Sequence, residues 1–295
     1  MPAPENQHPY FFRSLYAVIL FLFITLPVAT PADAAKNKRS ATSADAKKNK
    51  LTANPIDAAD EALWHMNYQK ADSLYSSELR NNPNNVDLQW KMARLRVSQG
   101  EAVPPENSDG RLQQFRKAAE YSRNCIALDS TNANGHTWLA VSLGMMADKI
   151  GTKEMLKRAN EIKRELDTAL RLNPNDATAW TILGSYYREA SKIGWFKRTI
   201  GNTLIGGVPK GDRVQAEKAF RKAISLDPRI IRNYHELALI CIDSGNKEEA
   251  IALIKSALDR PVLVESDKKR IEDMRALLIT LSKKQPMPYE IHRQR

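Results

Sequence analysis

His235 and Glu236 stand together in a helical pattern, as the first two residues of a metalloprotease H-E-x-x-H motif do. Leu239 occupies the place of the second histidine one turn later, so the zinc pair cannot form and the two residues read as ordinary helix residues. Gly206, Gly207 and Gly211 flank Pro209-Lys210. A phosphate loop needs Gly-Lys followed by Ser or Thr, and the order here is Lys-Gly, so these glycines read as a hinge. His65 and His136 are single histidines on helical stretches with no nucleophile in register. Without a converging nucleophile, base or ligand set, the residues predict no enzyme, no cofactor and no metal.

One segment has an unusual composition. Ile193, Phe196, Ile200 and Leu204 recur at three and four residues, with Trp195 and Thr199 beside them and Lys197 and Arg198 turned away. This spacing predicts a short amphipathic helix within an insertion near 192–212. Two readings stay open. The element plugs the hollow side of the fold, or it lies at a groove that receives an acidic or phosphate-bearing ligand.

The elements around that segment have a recognisable register. Trp180, Leu183, Gly184 and Tyr187 form W-x2-L-G-x2-Y, and Ala216, Phe220, Ala223 and Pro228 form A-x3-F-x2-A-x4-P. These are the first-helix and second-helix signatures of a tetratricopeptide (TPR) repeat, ordinarily about nine residues apart. Here Tyr187 and Ala216 are 29 positions apart, so roughly twenty residues are inserted between the helices of one repeat. Small residues permit close helix approach, large ones fill the gaps between turns, and Pro228 ends the second helix.

The register places four further units. Ala71, Tyr75 and Pro83 end the first. The second opens at Met92-Ala93 and closes with Ala118, Cys125 and Ser130, with a loop expected at 100–110 around Pro104-Pro105. Leu139-Ala140 to Ala169 and Pro174 make the third, and Tyr234, Leu237, Ala238, Ala250, Ile254 and Ala257 make the fifth, turning at Gly245-Asn246. Asp267 to Lys283 reads as the helix capping the open end. The predicted fold is all-α: a TPR-like solenoid of about five helix pairs plus a C-terminal capping helix over 55–283, followed by a tail at 284–295. Such stacks bind through a concave surface, and each repeat touches only its neighbours. Cys125 and Cys241, in the second and fifth units, therefore read as buried small residues and not as a disulfide.

The formal charge of +11 is local: residues 1–50 carry a net +4 and residues 192–222 a net +6. That distribution argues against a nucleic-acid-binding surface. Arg13, the apolar run Leu15–Ala29 and Ala32-Asp33-Ala34 predict a secretory signal peptide over 1–34, cleaved after Ala34. An uncleaved signal anchor is the other reading. Residues 35–54 form a Lys/Ala-rich linker without apolar period. The folded part is then expected in the periplasm or cell envelope, with no transmembrane helix after cleavage.

On Gly151-Thr152-Lys153-Glu154, the run Leu172 to Ala179, Gly194-Trp195-Phe196-Lys197-Arg198, the stretch Lys222 to Pro228 and Gly245 to Ala250, the chain resembles the regulator-of-microtubule-dynamics family of TPR-like proteins. The resemblance implies a non-enzymatic helical-repeat domain, with microtubule association reported for the family and phospholipid binding or transfer for its contact-site branch. A secretory signal here replaces an organelle anchor, as in an exported bacterial-type member. The expected function is a protein–protein interaction scaffold that holds a protein or peptide partner in its groove, with phospholipid carriage as the alternative. The groove residues expected to serve either are Trp195, Phe196, Lys197, Arg198, Asn175 and Asn233.

Overall fold

The structure, a computed structural model, describes residues 54–146, 152–192 and 211–283. Among them every regular element is an α-helix. The helices fall into pairs: α1 (Pro55–Trp64) with α2 (Tyr68–Asn81), α3 (Val86–Ala102) with α4 (Ser108–Leu128), and α5 (Ala133–Met146) with α6 (Thr152–Leu172). Then come α7 (Ala177–Ser191) with α8 (Arg213–Leu226), α9 (Ile231–Asp243) with α10 (Lys247–Leu258), and a single α11 (Glu265–Ser282). These are the five pairs and the final helix that the register predicts.

Local chemistry sets most boundaries. Asn54, Asn67, Asn85, Asn107, Asp176, Asp212 and Asn246 each cap a helix by accepting from a backbone N–H of its first turn. Asp212 and Gln215 complete a capping box, which restarts the chain firmly after the insertion. Gly245, at φ 79°, makes the tight turn between α9 and α10 that a side chain would strain.

The split repeat packs as its signature requires. A Cβ on Gly184 would lie 2.8 Å from the Phe220 ring, so only glycine lets α7 and α8 meet this closely. Leu183, Ala216, Phe220 and Ala223 are buried, and Tyr187 packs beside them. The same device corrects the expected loop at 100–110: α3 continues through Gly100 to Ala102, where the Phe115 ring occupies the space a Cβ would need. Gly110 already lies within α4, and the connecting loop is residues 103–107. His65 likewise stands just past α1, at its C-cap.

The last helix, α11, caps the final pair as expected, with Met274 packed among Ile254 and Ala257, and the stack also closes on its beginning. The turn before α11 returns to the first repeats. Leu263 and Val264 join the core cluster that contains Trp90, Phe115 and Trp138, and Ser266 on α11 reaches Glu101 on α3. Arg229, between α8 and α9, lies over the Trp64 ring at the end of α1, 5.4 Å from its centroid. The pairs therefore curl until the last touches the first, and distant repeats make contact. Cys125 and Cys241 are nevertheless both free and buried.

The inner helix layer as a candidate binding face

Curling brings the first helices of the pairs to the inside. Their buried polar residues are numerous: Asp60 on α1; Gln89, Arg94, Ser98 and Glu101 on α3; Thr178, Thr181, Ser185, Arg188 and Glu189 on α7; Arg232, Asn233, His235 and Glu236 on α9. Among the second helices, α2, α8 and α10 bury only apolar residues, apart from the phenol of Tyr75, while α4 buries Arg111 and Ser122. Buried polar groups are costly unless paired. A polar layer gathered on one side of the fold is thus a feature to be explained by what it holds.

Two clusters occupy this layer. In the first, the Asp60 carboxylate accepts from Arg94 Nη2 at 2.6 Å and from Lys91 and the Tyr75 hydroxyl. Burial would raise its pKa, but Arg94, Lys91 and Tyr75 together hold it below the usual carboxylate range. Lys91 and Arg94 also lie over the Trp90 ring, 5.0 and 5.5 Å from its centroid. This cluster is internally paired and ties α1 to α3.

The second cluster joins α3, α7, α9 and α11. Arg188 Nη1 donates to Glu236 Oε2 at 2.8 Å, and Arg232 Nη2 to Ser185 Oγ at 2.7 Å. Arg270 Nη1 donates to Ser266 Oγ at 2.8 Å and to Asp267 Oδ1 at 2.9 Å, while Ser266 in turn donates to Glu101 Oε1 at 3.3 Å. Burial favours a higher pKa for Glu236, yet Arg188 and Arg232 outweigh it and keep the carboxylate ionised. Glu101 shows the reverse: burial dominates over Arg270 and Arg232 and pushes it up to about 8. Burial also lowers Arg232 to about 9 and holds His235 below its ordinary value.

Beside this cluster opens a cleft of about 410 Å³ lined by Arg188, Ser191, Lys192, Gly211, Asp212, Arg213, Ile240 and Asp243. Arg188 belongs to both, so the cleft wall and the buried network share a side chain. Among the described residues no group of three or more His, Cys, Asp or Glu is placed to hold a metal ion.

The groove residues expected from the sequence are placed apart. Trp195, Phe196, Lys197 and Arg198, with the amphipathic helix predicted for them, lie outside the described residues. Asn175 is exposed in the turn between α6 and α7, where its N–H is taken by Asn173 Oδ1. Asn233 is fully buried on α9, with neither side-chain atom hydrogen-bonded. Sequence reasoning missed Glu101, Arg188, Arg232, Glu236 and Arg270. A signal was present: Arg232, Asn233, His235 and Glu236 crowd four polar residues around a helix that the repeat register requires to be buried.

A family model described as regulator of microtubule dynamics protein 1-3 matches residues 55–282. Regulator of microtubule dynamics protein 1 of Pongo abelii is 26% identical over 200 residues, covering 68% of this chain and 63% of that protein. Regulator of microtubule dynamics protein 3 of Xenopus laevis is 25% identical over 224 residues, covering 70% and 48%. The chain thus spans about three fifths of the first of these relatives and half of the second. Among solved structures, a thermophilic TPR protein of Thermus thermophilus superposes with a TM-score of 0.55 at 18% identity, over 77% of this chain and 97% of that one. That likeness is one of fold.

Proposed function

The chain belongs to the regulator of microtubule dynamics protein 1-3 family, and from that premise we propose that it is a non-catalytic scaffold binding a protein or peptide partner through its inner helix layer. The observation that carries this reading is the concentration of buried polar side chains on the first helices of the pairs, next to a cleft that reaches them through Arg188. Hydrogen-bonding groups held on rigid helices are pre-organised, and binding to them loses little further entropy. The signal-like N-terminus supports work in the periplasm or cell envelope.

Placement of a photoreactive residue tests the reading directly. Introduced at Lys192 or Asp243, on the cleft wall, it is expected to capture a discrete partner from envelope extract. At Ile279, which is 62% exposed on α11, it is expected to capture none. Adducts confined to Ile279, or absent from all three positions, would contradict the proposal. Export is checked separately: the N-terminus of the protein recovered from the envelope fraction should begin at Ala35, and an intact chain in the cytosol would contradict it.

A further inference from the structure

Part of the inner layer is already covered by the chain itself. Residues 261–264 run extended between α10 and α11, with Pro261 and Val262 exposed. Leu263 and Val264 then sink to 4% and 2% exposure in the cluster that holds Trp90 and Val97. On α3, Trp90, Arg94, Val97, Ser98 and Glu101 recur at intervals of four, three, one and three residues, which is a single helical stripe. The two aliphatic side chains therefore join the apolar part of the face whose polar part is Arg94, Ser98 and Glu101.

The first turns of α11 extend the cover. Ser266 donates to Glu101, and Tyr68 at the start of α2 lies against the Glu265 backbone. Asp267 and Arg270 are buried, and Asp267 stands close enough to Arg232 to favour its charge. Past Arg270 the helix changes task, since Met274 packs on the final pair. The cover is imperfectly matched to what it hides. Glu101 Oε2, Arg232 Nε and Nη1, both polar atoms of the Asn233 side chain, and Arg270 Nε and Nη2 find no partner within the chain. Polar groups buried unpaired weaken a seal below what its apolar contacts supply. Val264, at the N-cap of α11, offers no side-chain cap either.

Segment 261–270 thus shows which side chains the inner layer accepts: two adjacent aliphatic residues, Leu263 and Val264, then a carboxylate, Asp267, three positions on. We propose that residues 261–270 are an autoinhibitory strap, and that the partner is a peptide segment of the same chemistry, an aliphatic pair followed three residues later by a carboxylate, which binds by displacing it. This rests on the reading of the inner layer as the binding face and adds the partner's chemistry and its regulation. The incoming pair takes the places of Leu263 and Val264, and the incoming carboxylate faces Arg232 in place of Asp267. A tethered segment competes at an effective concentration of about millimolar, so a free peptide binds the parent chain only weakly.

The probe is a fluorescein-labelled, end-blocked peptide of residues 259–271. Its anisotropy is followed on addition of the full chain, ¹⁵N-labelled so that hydrogen exchange of the chain's own residues 262–271 is read separately. The chain carrying Leu263→Ala and Val264→Ala, with weakened strap anchors, is expected to bind the peptide at least tenfold more tightly than the parent chain. Saturating peptide should also speed exchange over 262–271, where the Asp267 N–H donates to the Val264 carbonyl in the covered state. A peptide carrying Leu263→Ser and Val264→Ser should bind neither chain. Ser266→Ala, which cuts the link to Glu101 and leaves both anchors in place, serves if the double alanine chain does not fold. No saturable binding to any of these chains, equal affinity for parent and weakened chains, or binding that leaves 262–271 protected overturns the inference. If partner adducts at Lys192 and Asp243 persist while the peptide tests fail, this inference alone is lost. Absence of adducts in the parent chain overturns the binding-face reading itself.

Discussion

At the scale of single residues, Glu101 has the most informative chemistry. Its pKa of about 8 lies above the ordinary 4.5, so the folded chain holds a proton that the unfolded chain releases. This group's contribution to stability therefore falls as pH rises from near 4.5 to near 8, and is fully lost above that. Arg111, Arg232, Asp267, Arg270 and Ser266 surround it. Glu101→Gln should flatten that part of the pH–stability curve measured by urea unfolding. An unchanged slope would show that Glu101 is ionised in the fold. Gly184 supplies a second residue-scale test, since alanine there pushes into the buried Phe220 ring. Overpacking of this kind costs about 1–3 kcal/mol. Denaturant midpoints of Gly184→Ala and the parent chain decide it.

Between helices, the Arg188–Glu236 ion pair joins α7 to α9 through the polar layer, beside the Arg232–Ser185 hydrogen bond. Removing one partner of a buried pair leaves a charge without compensation and costs about 3–5 kcal/mol. Glu236→Gln should therefore destabilise far more than the joint replacement Arg188→Met with Glu236→Leu, which removes both charges. Equal losses would mean that the pair is hydrated. The element scale is also where the sequence is most legible. Trp180, Tyr234, Gln89 and His136 each hold the carbonyl six residues back, those of Pro174, Pro228, Pro83 and Ser130, at 2.8 to 3.0 Å. One hydrogen bond repeated in four units is what the signature spacing encodes, and it survives the change from tryptophan to glutamine. The extent of α3 is not legible in this way. Gly100 and Pro104-Pro105 read locally as a loop, and only the Phe115 ring, supplied by the next helix, explains a glycine inside the helix.

The whole molecule is the scale at which sequence reading stops. Repeat signatures encode contacts between neighbours, and nothing in them marks the meeting of Ser266 with Glu101 across 165 residues. Outside α9, where polar residues crowd a helix that must be buried, the polar inner layer leaves no mark in the pattern: a buried arginine such as Arg188 looks in sequence like a solvated one. The central claim is that the pairs curl on themselves around that layer. Cysteines placed at Trp64 and Arg229, whose side chains stack in the fold, test it most directly. The native thiols do not compete, because burial pushes Cys125 up to about 12 and Cys241 up to about 11. A short bifunctional maleimide should join positions 64 and 229 within one chain, with the helical content unchanged. An open solenoid would keep these positions apart, and a double variant that is labelled at both thiols without an intramolecular cross-link would contradict the closed ring.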